Sequence, residues 1–106
     1  MSTLLDNVFK ALANRHRRRL LVTLAERDPD SHLKVSQATR LAEEDQGQNR
    51  IEQELQHTHL PMLDEMELID WDREEETVSP GPRFYDIRPF IRVLSENRDK
   101  LPTSWP

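Results

Sequence analysis

Cysteine is absent from the chain, and only two of its 106 residues are glycine. Without Cys there are no disulfides, thiolate metal sites or cysteine nucleophiles. Because neither glycine lies in a Gly-rich phosphate loop, nucleotide binding of the usual kinds is not expected. No apolar run approaches the roughly 20 residues of a membrane span, and the first residues show no signal-peptide pattern. A cytoplasmic protein without a membrane partner is therefore predicted.

Apolar residues are also scarce, since 35% of the chain is apolar and 33% is charged. A chain of this length is expected to form one domain with one modest core. That core must be built from a few well-placed apolar stripes, and no repeat or linker divides the sequence. We predict a single domain over residues 1–106.

Charge is distributed unevenly along the chain, whose net charge is −5. Residues 1–42 carry eight Lys/Arg and four Asp/Glu, a balance of +4, whereas residues 43–106 carry seven and sixteen, a balance of −9. Acid excess with few lysines is typical of proteins from a salt-accumulating cytoplasm. Molar salt shortens the Debye length to about 3 Å, so an acidic surface repels DNA far less there. An ordinary acidic domain that never touches DNA fits the charge equally well.

Helical spacing of apolar residues predicts two helices in the N-terminal part. The first extends over about residues 3–13, with a stripe that follows the i, i+3, i+4, i+7 pattern. This stripe consists of Leu5, Val8, Phe9 and Leu12. Asn14 lies where an N-cap is needed, so a second helix is expected from Arg15 to Glu26. A short extended piece, residues 32–35, precedes a third helix that Ser36 can cap.

The middle of the chain has the most informative order of elements. A helix that begins near Asn49 ends at Glu67, where the alternation of residues 68–71 predicts a strand. Residues 73–76 make an acidic turn, and residues 77–79 start the return strand before a Pro-Gly-Pro break. A helix that leads directly into a β-hairpin is the second half of a winged helix-turn-helix, which mostly serves to place a helix in a DNA groove.

A last helix is predicted over about residues 86–99, capped by Asp86 and followed by an irregular tail. Its stripe repeats the pattern of the first helix and consists of Ile87, Phe90, Ile91 and Leu94. Pro89 is expected in the first turn, where no intrahelical N–H is lost. Two terminal apolar stripes on a chain with a small core predict a homodimer that buries part of them. Trp105 is expected to pack on the body or on a partner.

Three segments resemble a known family. FKALANRHRRRLLVTL, from Phe9, is similar to the opening of ArsR-type winged-helix repressors, which typically read FKALADPTRRRIL. HTHLPMLDEMELIDWD, from His57, is similar to their HHHL-x-x-L-x-x-AGLV segment and closer to the HLPKL form of small haloarchaeal winged-helix proteins. GPRFYDIRPFIRVLSENRDKLP, from Gly81, resembles the C-terminal helix of that haloarchaeal group.

The resemblance covers nearly the whole chain and is weakest over residues 28–48. It implies a winged helix-turn-helix, mainly α with a small β-hairpin wing, in the order α-α-(β)-α-α-β-β-α. It also implies dimerisation through the first and last helices and transcriptional regulation in a halophilic archaeon. The chain departs from the pattern twice: Met66 and Glu67 replace the usual Ala-Gly before the hairpin, and the wing is acidic where a DNA-touching wing is normally basic.

The fourth helix, which begins near Asn49, has a polar side suited to DNA. On a helical wheel its apolar side carries Ile51, Leu55, His59, Met62, Leu63 and Met66, with Leu60 at the margin. The opposite side carries Arg50, Gln53, Glu54, His57 and Asp64. Arg is bidentate to guanine and Gln to adenine, and Asn49 and Gln56 flank this side. A merely solvated helix face fits the same residues.

Pro61 removes its own N–H and blocks the carbonyl of His57, so a kink or local unwinding is expected there.

Basic residues elsewhere predict contacts with DNA phosphates. Lys34 and Arg40 lie near the third helix, and Arg73 and Arg83 lie on the hairpin. The densest cluster, four arginines within residues 15–19, is interpreted as pairing with the acidic C-terminal half. Phosphate binding by this cluster is the weaker alternative, because the second helix of this fold usually lies away from DNA.

Histidines and carboxylates do not form a pattern that indicates metal binding or catalysis. His57 and His59 point in different directions on a helix, and His16 and His32 are isolated in sequence, so no metal site is predicted. The many carboxylates come without a cleft-forming architecture. We therefore expect no enzymatic activity and no cofactor.

The sequence thus predicts a DNA-binding transcriptional regulator that acts as a homodimer on double-stranded DNA. Arg50, Gln53 and His57 are expected in the major groove. Phosphate contacts in this mechanism come from Lys34, Arg40 and Arg83. The alternative is a protein–protein interaction adaptor that kept the winged-helix scaffold without significant DNA binding. The acidic wing and Glu54 favour that alternative.

Overall fold

A computed structural model describes residues 3–28, 30–41, 48–102 and 105–106. The elements are α1 (Thr3–Leu12), α2 (Arg15–Glu26), β1 (Leu33–Lys34), α3 (Val35–Leu41), α4 (Gln48–Glu54), a π turn (Leu55–His59), α5 (Leu60–Glu65), β2 (Ile69–Asp72), β3 (Thr77–Pro80), α6 (Phe84–Glu96) and a 3-10 turn (Arg98–Lys100). The described part is mostly helical with a small three-stranded antiparallel sheet. No helix within it combines the length and the apolar character needed to cross a membrane.

The boundary between α1 and α2 follows from a side-chain cap. The Asn14 carboxamide oxygen accepts hydrogen bonds from the backbone N–H groups of His16 and Arg17, at 2.8 and 3.2 Å. These are two of the donors that the first turn of a helix leaves without an intrahelical partner. The predicted N-cap is therefore confirmed, and α2 has the predicted bounds.

The sheet has the strand order β1-β3-β2, so β1 pairs with the outer side of the hairpin. Val78 lies in the middle, paired with Leu33 on one side and Trp71 on the other. Along β2, Ile69 is buried whereas Asp70 and Asp72 are exposed, as expected for a strand with one solvated face. The predicted strand alternation is confirmed.

The third helix begins earlier than predicted. It starts at Val35, so the prediction that Ser36 caps it is wrong. The Lys34 N–H donates instead to the side-chain oxygen of Gln37 at 3.0 Å, and the Val35 N–H donates to the Glu76 carbonyl at 2.8 Å. Pairing of β1 with the hairpin therefore determines where this helix starts.

The predicted fourth helix is present as three consecutive pieces, α4, the π turn and α5, which we call the composite helix. The Leu60 N–H donates to the Leu55 carbonyl, five residues back. Pro61 cannot donate to the His57 carbonyl, which confirms the predicted local unwinding. The wider turn shifts the helical register, so Leu60 is fully buried and Met62 only partly. The sequence had predicted Leu60 at the margin of the apolar side and Met62 within it, so these two places are exchanged.

The composite helix ends in a reversal that leads directly into the sheet. Glu67 adopts a left-handed backbone with φ 63°. The Leu68 N–H donates to the Leu63 carbonyl and the Glu67 N–H to the Asp64 carbonyl, each at 3.0 Å. This is the Schellman arrangement, in which glycine is usual at the left-handed position. Here Glu67 occupies it.

The end of the hairpin packs tightly on this reversal. The Gly81 N–H donates to the Leu68 carbonyl at 3.0 Å, and the Arg83 N–H donates to the Glu67 carbonyl at 2.9 Å. A Cβ atom at Gly81 would lie 2.6 Å from the Glu67 carbonyl oxygen. Only glycine fits this approach of backbone to backbone.

The last helix, α6, begins at Phe84 rather than at Asp86, which corrects the predicted bounds of about 86–99. Asp86 is not the cap but lies in the first turn, and Pro89 lies in the interior of the helix instead of its first turn. The earlier start places the Phe84 ring in the core, where it is 1% exposed. In the tail, the Trp105 indole N–H donates to the Ser95 hydroxyl at 2.8 Å, so Trp105 packs on the body.

One hydrophobic core draws on the described helices and on the sheet. Four residues of the two terminal stripes, Val8, Leu12, Ile87 and Ile91, are buried in this core. Leu5 and Phe9 remain 48% and 57% exposed. The two terminal stripes are therefore divided between the core of the chain and its surface.

Candidate nucleic-acid interface

The outer side of the composite helix brings together three of the predicted DNA-reading residues. Arg50, Gln53 and His57 are exposed along it, and Gln56 beside them is partly buried. The Arg50 Nε lies 3.3 Å from the Glu54 carboxylate, four residues on, and the Arg50 side chain is 73% exposed. The side therefore offers donors, but one carboxylate already engages the guanidinium.

Two predicted contact residues have side chains outside the described part of the structure, namely Arg40 and Asn49. Lys34 is described and exposed at the junction of β1 and α3. It belongs to the edge strand β1, whose partner is β3.

The hairpin tip is acidic and ordered by its own side chains. The Asp72 carboxylate accepts hydrogen bonds from the backbone N–H groups of Glu74 and Glu75, at 3.0 and 3.1 Å. The Arg73 guanidinium lies over the Trp71 ring, 4.4 Å from its centroid, a cation–π arrangement. Arg73 is thus a single positive group on a negative tip.

An open groove of 520 Å³ lies beside the hairpin, and four of its eight lining residues are acidic. Its lining includes Asp64, Asp70, Asp72 and Glu75 together with His32. This groove is unsuited to a phosphate backbone, since carboxylates repel phosphates.

Arg83 lies beside the C-terminal end of the composite helix. It shares a different groove, of 370 Å³, with Lys10, Glu65 and Glu67. Its Nε lies 3.9 Å from the Asp86 carboxylate, and both side chains are about half exposed. Arg83, which was predicted to hold a DNA phosphate, thus lies among carboxylates of the described structure.

Two arginines of the α2 cluster, Arg17 and Arg18, bond within the chain, as predicted, and their described partners include backbone carbonyls. Arg17 donates from Nε to the Ala11 carbonyl at 3.2 Å and from Nη2 to the Lys10 carbonyl at 3.0 Å. Arg18 donates from Nη1 to the Leu12 carbonyl at 2.7 Å. These are carbonyls at the C-terminus of α1, which lack intrahelical partners. For Arg17 and Arg18 the described oxygen partners are thus carbonyls of α1, whereas the predicted partners of the cluster were carboxylates of the C-terminal half.

A buried histidine completes the Arg17 environment. The Arg17 Nη1 lies 3.1 Å from the Nδ1 of His59, which is 5% exposed. The His16 ring lies beside it, with ring centroids 5.8 Å apart. Burial first, then the positive charge of Arg17 and the His16 ring, lowers the pKa of His59 below 6.5, whereas Glu54 acts in the opposite direction. Burial also lowers the pKa of Arg17.

This cluster was missed by the sequence analysis. His16 and His59 lie far apart in sequence, and the one local signal was the place of His59 on the apolar side of its helix. Within the described ranges, three or more His, Asp or Glu side chains do not come together as a metal-binding group.

A family model described as "Domain of unknown function (DUF7344)" matches residues 9–79. The chain belongs to this family. The DUF7344 match spans the sequence from Phe9 in α1 to Ser79 in β3 and so includes both the outer side of the composite helix and the Arg17–His59 contact. Arg83 and α6 lie beyond it. No curated protein and no solved structure shows significant similarity to the chain.

Proposed function

We propose that this DUF7344 protein is a DNA-binding transcriptional regulator of the ArsR-like winged-helix type. The observation that carries the proposal is the exposed row of Arg50, Gln53 and His57 on a helix that leads directly into an antiparallel hairpin. The element order α-α-β-α-α-β-β-α supports it as well. In this proposal α3 and the composite helix form the helix-turn-helix, and the β2–β3 hairpin is the wing.

The proposed chemistry is direct readout in the major groove. Arg50 is suited to the two acceptors of guanine, and Gln53 to the acceptor and donor of adenine. His57 follows on the same side and can donate or accept according to its tautomer. Lys34 and Arg73 are the described cations that we assign to phosphates.

The same proposal includes a homodimer formed through the exposed parts of the terminal helices. Phe9 of α1 packs edge-on against Phe90 of α6, with ring centroids 5.9 Å apart, yet Phe9 remains 57% exposed. Val93 of α6 is 56% exposed. Large apolar groups exposed on two adjoining helices favour burial against a second copy.

Selection from randomised double-stranded DNA by the full chain in molar KCl, followed by fluorescence anisotropy on the enriched duplex, tests the proposal. We expect Arg50→Ala and Gln53→Ala each to cost about 1–3 kcal/mol for that duplex. Lys34→Ala should instead weaken all duplexes alike and reduce the salt slope. No enriched sequence, and no binding at micromolar protein, would refute DNA recognition.

The acidic groove beside the hairpin favours one second candidate, a protein–protein interaction adaptor on the same scaffold. Five carboxylates surround the hairpin tip: Asp70, Asp72, Glu74, Glu75 and Glu76. A basic segment of another protein would complement this surface. Under this candidate the Arg50 and Lys34 variants behave like the parent, whereas charge reversal of residues 74–76 abolishes capture of the partner.

A further inference from the structure

Arg17 connects three parts of the fold through one guanidinium. Two of its nitrogens donate to carbonyls at the end of α1, and the third, Nη1, lies 3.1 Å from the His59 Nδ1 in the π turn. A guanidinium has no acceptor, so the His59 Nδ1 must accept this hydrogen bond. His59 is therefore neutral in this arrangement, with its proton on Nε2.

A proton on Nδ1 is incompatible with this contact. An imidazolium donates from both ring nitrogens, so Nδ1–H would face the Arg17 N–H with no acceptor between them. The same proton would place a second positive charge in a site where His59 is 5% exposed. Burying a like-charged pair is unfavourable, so protonation separates the two side chains.

The groups around His59 come from each neighbouring element. Arg17 and His16 face it from α2, and Glu54 faces it from the end of α4. The carboxylates of α5, Asp64 and Glu65, are exposed. The buried Nδ1 of His16 has no hydrogen-bond partner among the described residues. Glu54 therefore favours the protonated form of His59, whereas Arg17 and His16 disfavour it.

The backbone of the π turn lacks one regular helical hydrogen bond, at Pro61. Pro61 cannot donate to the His57 carbonyl, and the turn is widened to a five-residue hydrogen bond. A side-chain contact that holds the turn to α1 and α2 is therefore well placed to fix its geometry.

We propose that Arg17 is a positioning residue, and that its contact with His59 is a proton-sensitive lock on the composite helix. When closed, the Arg17–His59 lock fixes the π turn against α1 and α2, and with it the direction of the side that carries Arg50, Gln53 and His57. When His59 binds a proton, the lock opens and the turn is released. The link to DNA rests on the proposed function, whereas the lock itself does not.

The first arm of the test uses NMR on the full chain without DNA. Ring resonances of the four histidines and the backbone amides of residues 50–60 are followed from about pH 8 to about pH 5, a range that spans the ordinary histidine pKa. We expect the amides of Leu55–Leu60 to shift together with the protonation of the His59 ring. Amides that do not follow His59 overturn the lock.

Variants of two neighbouring arginines test whether the spectral changes depend on the Arg17–His59 contact. Arg17→Gln should raise the pKa of His59 and should shift the Leu55–Leu60 amides near pH 8 toward their acid-form positions. Arg18→Gln is the matched control, because Arg18 donates to the Leu12 carbonyl from the same helix. Arg17→Lys, which keeps the charge, should restore part of the wild-type spectrum. Spectra of Arg17→Gln that match those of Arg18→Gln overturn the proposal.

The second arm uses a His57→Gln background, which replaces the exposed histidine on the outer side of the composite helix, and measures binding to a duplex selected again with that variant. One pH unit below the pKa of His59, about a tenth of the molecules keep the lock, so the affinity should fall about 10-fold. His59→Gln supplies an amide acceptor that does not titrate, and its affinity should stay constant. An equal loss of affinity at low pH with and without His59→Gln overturns the coupling between the lock and DNA binding. If no duplex binds while the NMR result holds, the proposed function fails and the lock stands.

Discussion

At the residue scale, Glu67 is the clearest case of a side chain in an unfavourable backbone conformation. Its φ of 63° lies in the left-handed region, which costs an L-residue about 1–2 kcal/mol. We expect Glu67→Gly to stabilise the protein by about 1 kcal/mol, after allowance for the greater freedom of glycine in the unfolded chain. Urea unfolding measures the change.

Glu65→Gly provides the control for this substitution. Glu65 is the last residue of α5, and glycine inside a helix costs about 1 kcal/mol relative to good helix formers. The two substitutions should therefore have opposite signs although they lie two residues apart. Destabilisation by both would show that the left-handed conformation at Glu67 costs nothing.

His59 makes a second prediction at this scale, in the pH dependence of stability. Its pKa is lowered in the folded chain, so below about pH 6.5 the unfolded chain binds a proton that the folded chain does not. Stability should therefore fall as the pH drops through 6.5 and should level off below the folded pKa. His59→Gln removes this contribution, and thermal melts of both proteins across pH in molar KCl measure the difference. Parallel curves for the two proteins would contradict it.

Local side-chain chemistry was predictable from the sequence, and long-range chemistry was not. Asn14 was identified as a cap because a cap bonds to residues two or three positions on. The Arg17–His59 contact joins positions 42 residues apart, and no periodicity or motif links them. Arg17 was correctly expected to bond within the chain, but its partners depend on how the helices pack.

At the scale of elements, the register shift in the composite helix has a direct mutational consequence. Leu60 is 0% exposed and Met62 is partly buried. Leu60→Ala should cost about 2–5 kcal/mol, as for deletion of a buried leucine, and Met62→Ala about 1 kcal/mol. A regular helix without the π turn predicts the reverse order. Chemical denaturation of both variants decides, and a greater loss at Met62 would contradict the π turn.

Element types followed from apolar spacing, whereas some boundaries did not. The stripes of α1 and α6 and the alternation of β2 correctly predicted two helices and a strand. The start of α6 was wrong because Asp86 has the side chain of a cap, yet burial of Phe84 decides where the helix begins. The break near Pro61 was predictable from the missing N–H. The effect of this break on which residues are buried could not be predicted, because a helical wheel assumes a constant period.

At the scale of the whole molecule, the proposed homodimer and the acidic C-terminal half lead to one prediction about assembly and salt. Residues 43–106 carry a balance of −9, and such self-repulsion destabilises a compact state when screening is weak. Molar salt shortens the Debye length to about 3 Å and screens most of this self-repulsion. We therefore expect a dimer that melts at a higher temperature in molar KCl than in dilute buffer. Light scattering and melts across a salt series measure both properties.

A matched pair of substitutions on α1 separates the dimer contact from the general effect of salt. Phe9 and Lys10 are adjacent and exposed, so Phe9→Gln and Lys10→Gln place the same side chain at neighbouring positions. Phe9→Gln removes the exposed ring that packs on Phe90 and should shift the protein toward monomer. Lys10→Gln should leave the dimer intact, because its carbonyl, which accepts from Arg17, is unchanged. A parent that stays monomeric at all salt concentrations, or a melting temperature that salt does not change, would contradict this prediction.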